Sequence, residues 1–345
     1  MADSVTLVTG GSGYLGETIV KKLCARGDRV RVLDLVDNED RPAEVEFVRG
    51  DIRDAEAVRR AVRGARIVHH NVAQVPLAKD REKFWSVNVE GTRTLLEHAL
   101  REGVHKTIVV SSSAVYGVPP HNPVDEGVAP APREAYGAAK LAAEQVARDY
   151  VARGLDVSIV RPRTILGHGR LGIFQILFEW VRRGRPIYTL GDGANRYQFV
   201  HADDLAEICL RADALGGFRL LLAGAVRFGT MRELLSGLVA HAGTRTQIRA
   251  LPFRPTQIAM AITSKLGLSP LGDYHTLMYG REMFFDMRPT TEALGFSPRH
   301  SNAEMIAESY DWYVAHRDEV LARRDASHHR SPVRLGVLKL LELLP

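Results

Sequence analysis

Two short motifs in this 345-residue chain carry residue types that can do chemistry together. Tyr136 stands four positions before Lys140, so on a helix the two side chains share one face. A free phenol, with a pKa near ~10, is a poor acid or base at neutral pH. An ammonium beside it favours the phenolate, and such a tyrosine can take a hydroxyl proton while hydride leaves the same carbon. Ser111-Ser112-Ser113 supplies a hydroxyl to hold the reacting oxygen. No Gly-x-Ser-x-Gly elbow surrounds these serines, so a serine-nucleophile reading is poor. Upstream, Thr9-Gly10-Gly11-Ser12-Gly13-Tyr14-Leu15-Gly16 has the glycine spacing of a dinucleotide turn.

These groups need a frame that brings them together. The first 165 residues alternate β-branched runs with helical patterns, which reads as a doubly wound parallel sheet. The expected strands are 5–9, 29–34, 45–48, 66–70, 107–111 and 157–161. The expected helices are 14–26, 55–62, 80–102 and 135–153. The fold class is therefore α/β: a Rossmann-type doubly wound parallel sheet with a smaller, mixed α/β C-terminal substrate domain. The dinucleotide-binding domain spans 1–165, with a segment returning near 197–213. The substrate domain takes 166–196 and 214–322, with helices expected at 174–183, 203–212 and 231–241 and a strand at 197–201.

In this frame Gly10, Gly13 and Gly16 follow a strand and open a helix, which lets the backbone approach a pyrophosphate at the helix N-terminus. Asp34 ends the second strand, where a carboxylate accepts hydrogen bonds from the adenosine ribose. With Asp37 nearby and no arginine directly after Asp34, NAD is favoured over NADP. Ser111 to Ser113 close the fifth strand at the ligand-bearing edge of the sheet.

The motifs together resemble the extended short-chain dehydrogenases/reductases, the group of NAD-dependent epimerases and dehydratases. The resemblance runs through Thr-Gly-x-x-Gly-x-x-Gly, Gly50-Asp51-Ile52, Asn88-Val89-Glu90-Gly91-Thr92, Ser-Ser-Ser-Ala-Val-Tyr-Gly, Tyr-x-x-x-Lys, Arg161-Pro162 and the closing Leu294-Gly295-Phe296-Ser297-Pro298. It implies Tyr136, Lys140 and Ser112 as catalytic residues. It implies a cofactor site of Gly10, Gly13, Tyr14, Leu15, Gly16, Asp34, Asp51, Ile52, Val72, Ala73, Asn88, Ser111, Tyr136, Lys140 and Pro162. Gln74, Ser113, Arg163, Thr164, Arg196, Tyr197 and Arg281 are the candidates on the substrate side.

The resemblance also narrows the reaction. Family dehydratases carry Asp-Glu after the catalytic hydroxyl residue, and nucleotide-sugar decarboxylases carry a Glu two residues before the Tyr of Val-Tyr-Gly. Here Ser113-Ala114 stands instead, leaving 4-epimerisation or simple oxidoreduction. Two positions depart from the nucleotide-sugar epimerases: Thr164 replaces an Asn and Tyr197 an Arg, both of which help anchor a diphosphate. The leading expectation is a nucleotide-sugar 4-epimerase. The alternative is a dehydrogenase or ketoreductase of an apolar, steroid-, lipid- or polyketide-like alcohol.

Other features set limits. The net charge of +5 comes from basic residues interleaved with acidic ones, so no nucleic-acid role is expected. Two cysteines, Cys24 and Cys209, are too few for a disulfide framework and point to a cytoplasmic protein. His69-His70 lies in a strand, so its rings face opposite ways, and no metal is expected. Residues 323–345 read as a basic tail with an amphipathic helix, expected to pack on its own domain or across a homodimer in preference to a membrane surface.

Overall fold

The computed structural model describes residues 4–75, 80–169, 173–266, 268 and 273–322; the tail expected at 323–345 lies outside them. The strands are β1 Val5–Thr9, β2 Arg29–Asp34, β3 Glu46–Arg49, β4 Ala65–His70, β5 Lys106–Val110, β6 Val157–Pro162, β7 Thr164–Leu166, β8 Ile187–Leu190, β9 Phe199–His201, β10 Arg219–Ala223 and β11 Ile248–Leu251. Between them run α1 Tyr14–Arg26, α2 Ala55–Val62, α3 Arg81–Trp85, α4 Gly91–Arg101, α5 Ala135–Ala152, α6 Phe174–Arg182, α7 Ala202–Arg211, α8 Met231–Ala242, α9 Phe253–Lys265, α10 Asp273–Met278, α11 Arg288–Leu294, α12 Asn302–Ala315 and α13 Arg317–Ala322.

Seven strands form one parallel sheet in the order β10-β6-β5-β4-β1-β2-β3. Strands of such a sheet are buried on both faces and read as continuous apolar runs. In β1, Leu7 enters the core beneath α2, α4 and α5, while Val8 enters the core shared with α1 and α7. The chain winds outward from β1 to β3 and then resumes at β4 on the other side. That switch point, where Thr9 pairs with His70, opens the crevice that holds ligands in open α/β sheets.

Three details differ from the expectation. Arg219–Ala223 is the seventh strand of the main sheet, paired with β6, and does not belong to the substrate side as the boundary at 214 had it. Its Leu-Leu-Leu run lacks both alternation and β-branching, so periodicity does not separate it from a buried helix segment. The returning strand is Phe199–His201, and it pairs with β7 in a separate two-stranded sheet. The single helix expected over 80–102 is broken by a π turn at Ser86–Glu90 between α3 and α4.

Beyond the sheet, β8 and β11 form a parallel pair. With α6, α8 and α12 they enclose a third core that includes Phe178, Trp180, Leu235, Leu238 and Tyr313. No helix among the described residues is long and apolar enough to cross a membrane.

Candidate active site

The glycine turn is built by close approach. Gly10 has φ +70°, and a Cβ there would lie 2.9 Å from the Val72 nitrogen. A Cβ on Gly16 would sit 2.0 Å from the Gly10 carbonyl oxygen, so the first turn of α1 rests directly on the loop. Gly13 caps α1 without a side-chain acceptor. The amides of the first helical turn have no intrahelical partner and carry the positive end of the helix dipole, which suits a pyrophosphate. The Asp34 carboxylate accepts the Ser12 amide at 3.0 Å and the Leu35 amide at 2.7 Å; burial raises its pKa. These features fit a dinucleotide.

Asp51 and Ile52, the residues expected on the adenine side, are held from outside. Arg53 pairs with Asp51 at 2.6 Å and lowers its pKa. Ile52 packs against Gly91, where a Cβ would come within 2.5 Å of its Cγ2. Asn88 does not line the cavity. Its amide accepts the Gln74 N–H at 2.7 Å and donates to the Gln74 carbonyl at 3.1 Å, fixing the loop that carries Val72, Ala73 and Gln74.

The chemical groups meet at the start of α5. Glu134 caps that helix, accepting the Tyr136 and Gly137 amides at 2.7 and 2.6 Å. A Cβ on Gly137 would approach the Ala114 oxygen to 2.5 Å, so the helix start is pressed against the 3-10 turn Ser113–Tyr116. Phe84 meets the buried Tyr136 ring edge-on at 5.8 Å. Lys140 donates to the Val110 carbonyl at 2.9 Å; burial lowers its pKa to about 8, against the opposing pull of Glu144. Ser112 caps the 3-10 turn by accepting the Ala114 amide at 3.1 Å, which leaves its O–H hydrogen for another acceptor.

Ser111 lines the cavity wall, and its hydroxyl donates to Glu144 at 2.5 Å. Glu144 also takes Arg161 in a buried two-point pair, and Arg161 donates to the Tyr116 hydroxyl at 2.7 Å. Sequence reading missed Glu144. Its signal was present, because 136, 140 and 144 form one helical stripe.

One cavity of about 1020 Å³ joins these parts. Gly10, Gly13, Tyr14, Leu15, Gly16, Asp34, Asp51, Ile52, Val72, Ala73, Gln74, Ser111, Ser112, Ser113, Tyr136, Lys140, Pro162, Arg163, Thr164 and Tyr197 all line it. Arg196 and Arg281 do not. Arg196 stacks on Phe228 and Phe284 at the surface, and Arg281 donates to the Leu277 carbonyl and lies over Phe253. The two positions that depart from the epimerase pattern meet each other: Thr164 Oγ1 lies 3.0 Å from Tyr197 Oη.

From Thr164 onward, no carboxylate, ammonium or guanidinium lines the cavity among the described residues. Ile176, Leu177, Trp180, Leu235, Met260 and Met278 typify that half. The wall residues of α6, α8 and α9 could not be read from the sequence as cavity residues, because burial against a ligand and burial against protein leave the same apolar pattern.

The histidines of β4 reach different partners. His70 lies between Thr9 and Thr92 hydroxyls at 2.7 and 2.9 Å, and burial lowers its pKa to about 3, keeping it neutral. His69 Nε2 lies 3.2 Å from Asp213. Elsewhere His168, His201 and Glu308 converge, with Glu308 bridging the two rings at 2.7 and 3.1 Å. His201 Nδ1 accepts the Asp203 amide, which puts the ring proton of neutral His201 on Nε2 and makes Glu308 its acceptor.

The sequence model of the NAD dependent epimerase/dehydratase family matches residues 6–215. Over 336 residues the chain is 50% identical to the uncharacterized protein y4nG of Sinorhizobium fredii, covering 97% of this chain and 85% of that protein. It is 32% identical to sterol demethylase protein B of Methylococcus capsulatus, over 70% of this chain and 77% of that one. Its fold superposes on the UDP-glucose 4-epimerase of Thermus thermophilus, solved as a complex with NAD, with a TM-score of 0.73. The sequences are 29% identical there, over 90% of this chain and 99% of that one.

Proposed function

The chain belongs to the NAD dependent epimerase/dehydratase family, and on that footing we propose that it is an NAD-linked oxidoreductase whose substrate is a bulky, largely apolar secondary alcohol or the matching ketone. The observation that carries this reading is that no carboxylate, ammonium or guanidinium lines the cavity beyond Thr164 among the described residues. A nucleoside diphosphate brings two or more negative charges, and burying them there beside a single guanidinium, that of Arg163, is costly. Thr164 and Tyr197 satisfy each other where the epimerase pattern has diphosphate anchors. The likeness to a sterol demethylase protein supports the same substrate class.

Gly10, Gly13 and Gly16 with the first turn of α1 would hold the pyrophosphate of NAD, Asp34 the adenosine ribose, and Asp51 and Ile52 the adenine. NAD held there would supply the acceptor for hydride from a carbinol carbon or, reduced, the hydride for a ketone. Ser112 holds the carbinol oxygen with its remaining O–H hydrogen. Tyr136 Oη takes the hydroxyl proton on oxidation and returns it on reduction. Lys140, one helical turn along, favours the phenolate form of Tyr136 while its ammonium is anchored on the Val110 carbonyl.

The test is to follow reduced-nicotinamide absorbance while offering purified protein and NAD a set of hydrophobic secondary alcohols and, separately, UDP-, GDP- and TDP-sugars. One NADH per alcohol oxidised is expected. Interconversion of sugar epimers with no net NADH would overturn the reading in favour of a 4-epimerase.

A further inference from the structure

Arg161 and Arg163 leave the end of β6 two residues apart and are both fully buried, yet only one has a counter-ion. Arg161 has the carboxylate of Glu144 on two of its nitrogens. Arg163 has no carboxylate within ion-pair distance among the described residues. Its Nη1 donates to Ser113 Oγ at 2.9 Å and the Tyr274 hydroxyl also meets its side chain, while Nε and Nη2 have no acceptor within hydrogen-bond geometry. The ring of Tyr197 covers its guanidinium at 4.7 Å and that of Phe285 at 5.7 Å. Ring faces recover only part of what a cation loses on leaving water. A buried guanidinium with two unfilled nitrogens therefore calls for an acceptor from outside the chain.

The place of this residue narrows that acceptor. Arg163 lines the cavity, and its hydrogen bond to Ser113 sets it one residue from Ser112. The Tyr274 hydroxyl, 3.4 Å from Ser113 Oγ, extends the same polar spot. The other described lining residues further along the chain include no carboxylate, ammonium or guanidinium, and His275 is the one imidazole among them. A ligand matched to this cavity carries one negative charge near the reacting oxygen and an apolar body. The guanidinium fork suits a planar carboxylate on two nitrogens.

We propose that the substrate is an apolar alcohol bearing a carboxylate a few bonds from its reacting carbinol, and that Arg163 pairs with that carboxylate. This rests on the apolar-alcohol reading above and names the group that reading leaves open. Arg163 acts as a specificity residue: it selects the acid over its neutral ester.

The experiment compares 3-hydroxydodecanoate and 2-hydroxydecalin-1-carboxylate with their methyl esters as substrates of the full chain with NAD, reading kcat/KM from NADH absorbance. Binding of each acid and ester to Tyr136→Phe protein saturated with NAD is measured by calorimetry. At least one acid is expected to exceed its ester at least tenfold in both readouts. In Arg163→Met that ratio falls toward one through a rise in KM and Kd, and Arg163→Lys keeps part of it. The wild-type ratio needs no variant, so a misfolded substitution cannot hide the answer. Esters used as well as their acids would overturn the carboxylate while leaving the alcohol reading intact. Turnover of neither, with epimerisation of UDP-glucose, would overturn both.

Discussion

Glu144 and Arg161 form a two-point ion pair, at 2.9 and 2.5 Å, in which neither side chain is more than 2% exposed. The pair ties α5 to β6, and Ser111 adds the end of β5. Removing one partner strands a buried charge, which typically costs about 3–5 kcal/mol. Glu144→Gln is expected to lose stability of that order in urea unfolding at neutral pH. An unchanged midpoint would refute the structural role given to the pair.

Lys140 sits one turn before Glu144, with its pKa lowered from 10.5 to about 8 by burial. Unfolding returns the group to 10.5. Between those two pH values the unfolded chain holds a proton that the native chain has released, so this group's contribution to stability rises with pH and is least below the window. The difference amounts to about 3 kcal/mol. Lys140→Met removes the group, so its stability advantage over the wild type should shrink by that order as pH rises from 8 to 10.5. A gap that does not vary with pH would contradict the assignment.

Tyr136→Phe keeps the ring that meets Phe84 and deletes only the hydroxyl. General acid-base groups contribute roughly 10²- to 10⁴-fold. Turnover should fall by that factor while NADH still binds, as read by its fluorescence. Retained turnover would remove Tyr136 from the chemistry.

Gly16→Ala would force a methyl group to 2.0 Å from the Gly10 oxygen, so the turn and α1 must part. Affinity for NADH should drop at least about a hundredfold, worth about 2.7 kcal/mol. Far-ultraviolet circular dichroism should stay close to that of the wild type, because the change is confined to one turn.

Asp34 presents a carboxylate held by two backbone amides at the cavity edge. Negative charge there opposes a 2′-phosphate. Asp34→Ser should narrow the NADH-over-NADPH preference about tenfold or more, a change of about 1.4 kcal/mol, measured as a ratio of dissociation constants. A constant ratio would place cofactor choice elsewhere.

The parts of the molecule that obey local rules were legible in the chain. β1, α1 and β2 begin and end where their apolar runs, glycines and Asp34 place them. Tyr136 and Lys140 share a helix face because spacing alone decides it. Long-range partners were not legible. The stripe 136-140-144 marks the face that Glu144 shares, but nothing near Ser111 announces that its hydroxyl reaches Glu144, and nothing near Thr164 announces that Tyr197 closes on it. Arg196 and Arg281 looked like anion anchors by residue type, but neighbouring aromatic rings hold them outside the cavity. Charge can be counted from a sequence, while the direction in which it points depends on packing.

The π turn at Ser86–Glu90 gives the segment from Arg81 to Arg101 two different phases. An unbroken α-helix advances about 100° per residue and keeps one bearing along its whole length. Here Phe84 in the first part and Leu95, Leu96 and Ala99 in the last all enter the same core beneath the sheet, with Phe84 edge-on to Tyr136. One wider turn, with Asn88 inside it gripping the Gln74 backbone, changes the rotation between the two parts. The turn works as an angular offset between the Asn88 grip and the ring of Phe84. The position of the tyrosine's aromatic neighbour is therefore set by how many residues the helix counts, as much as by which residues they are.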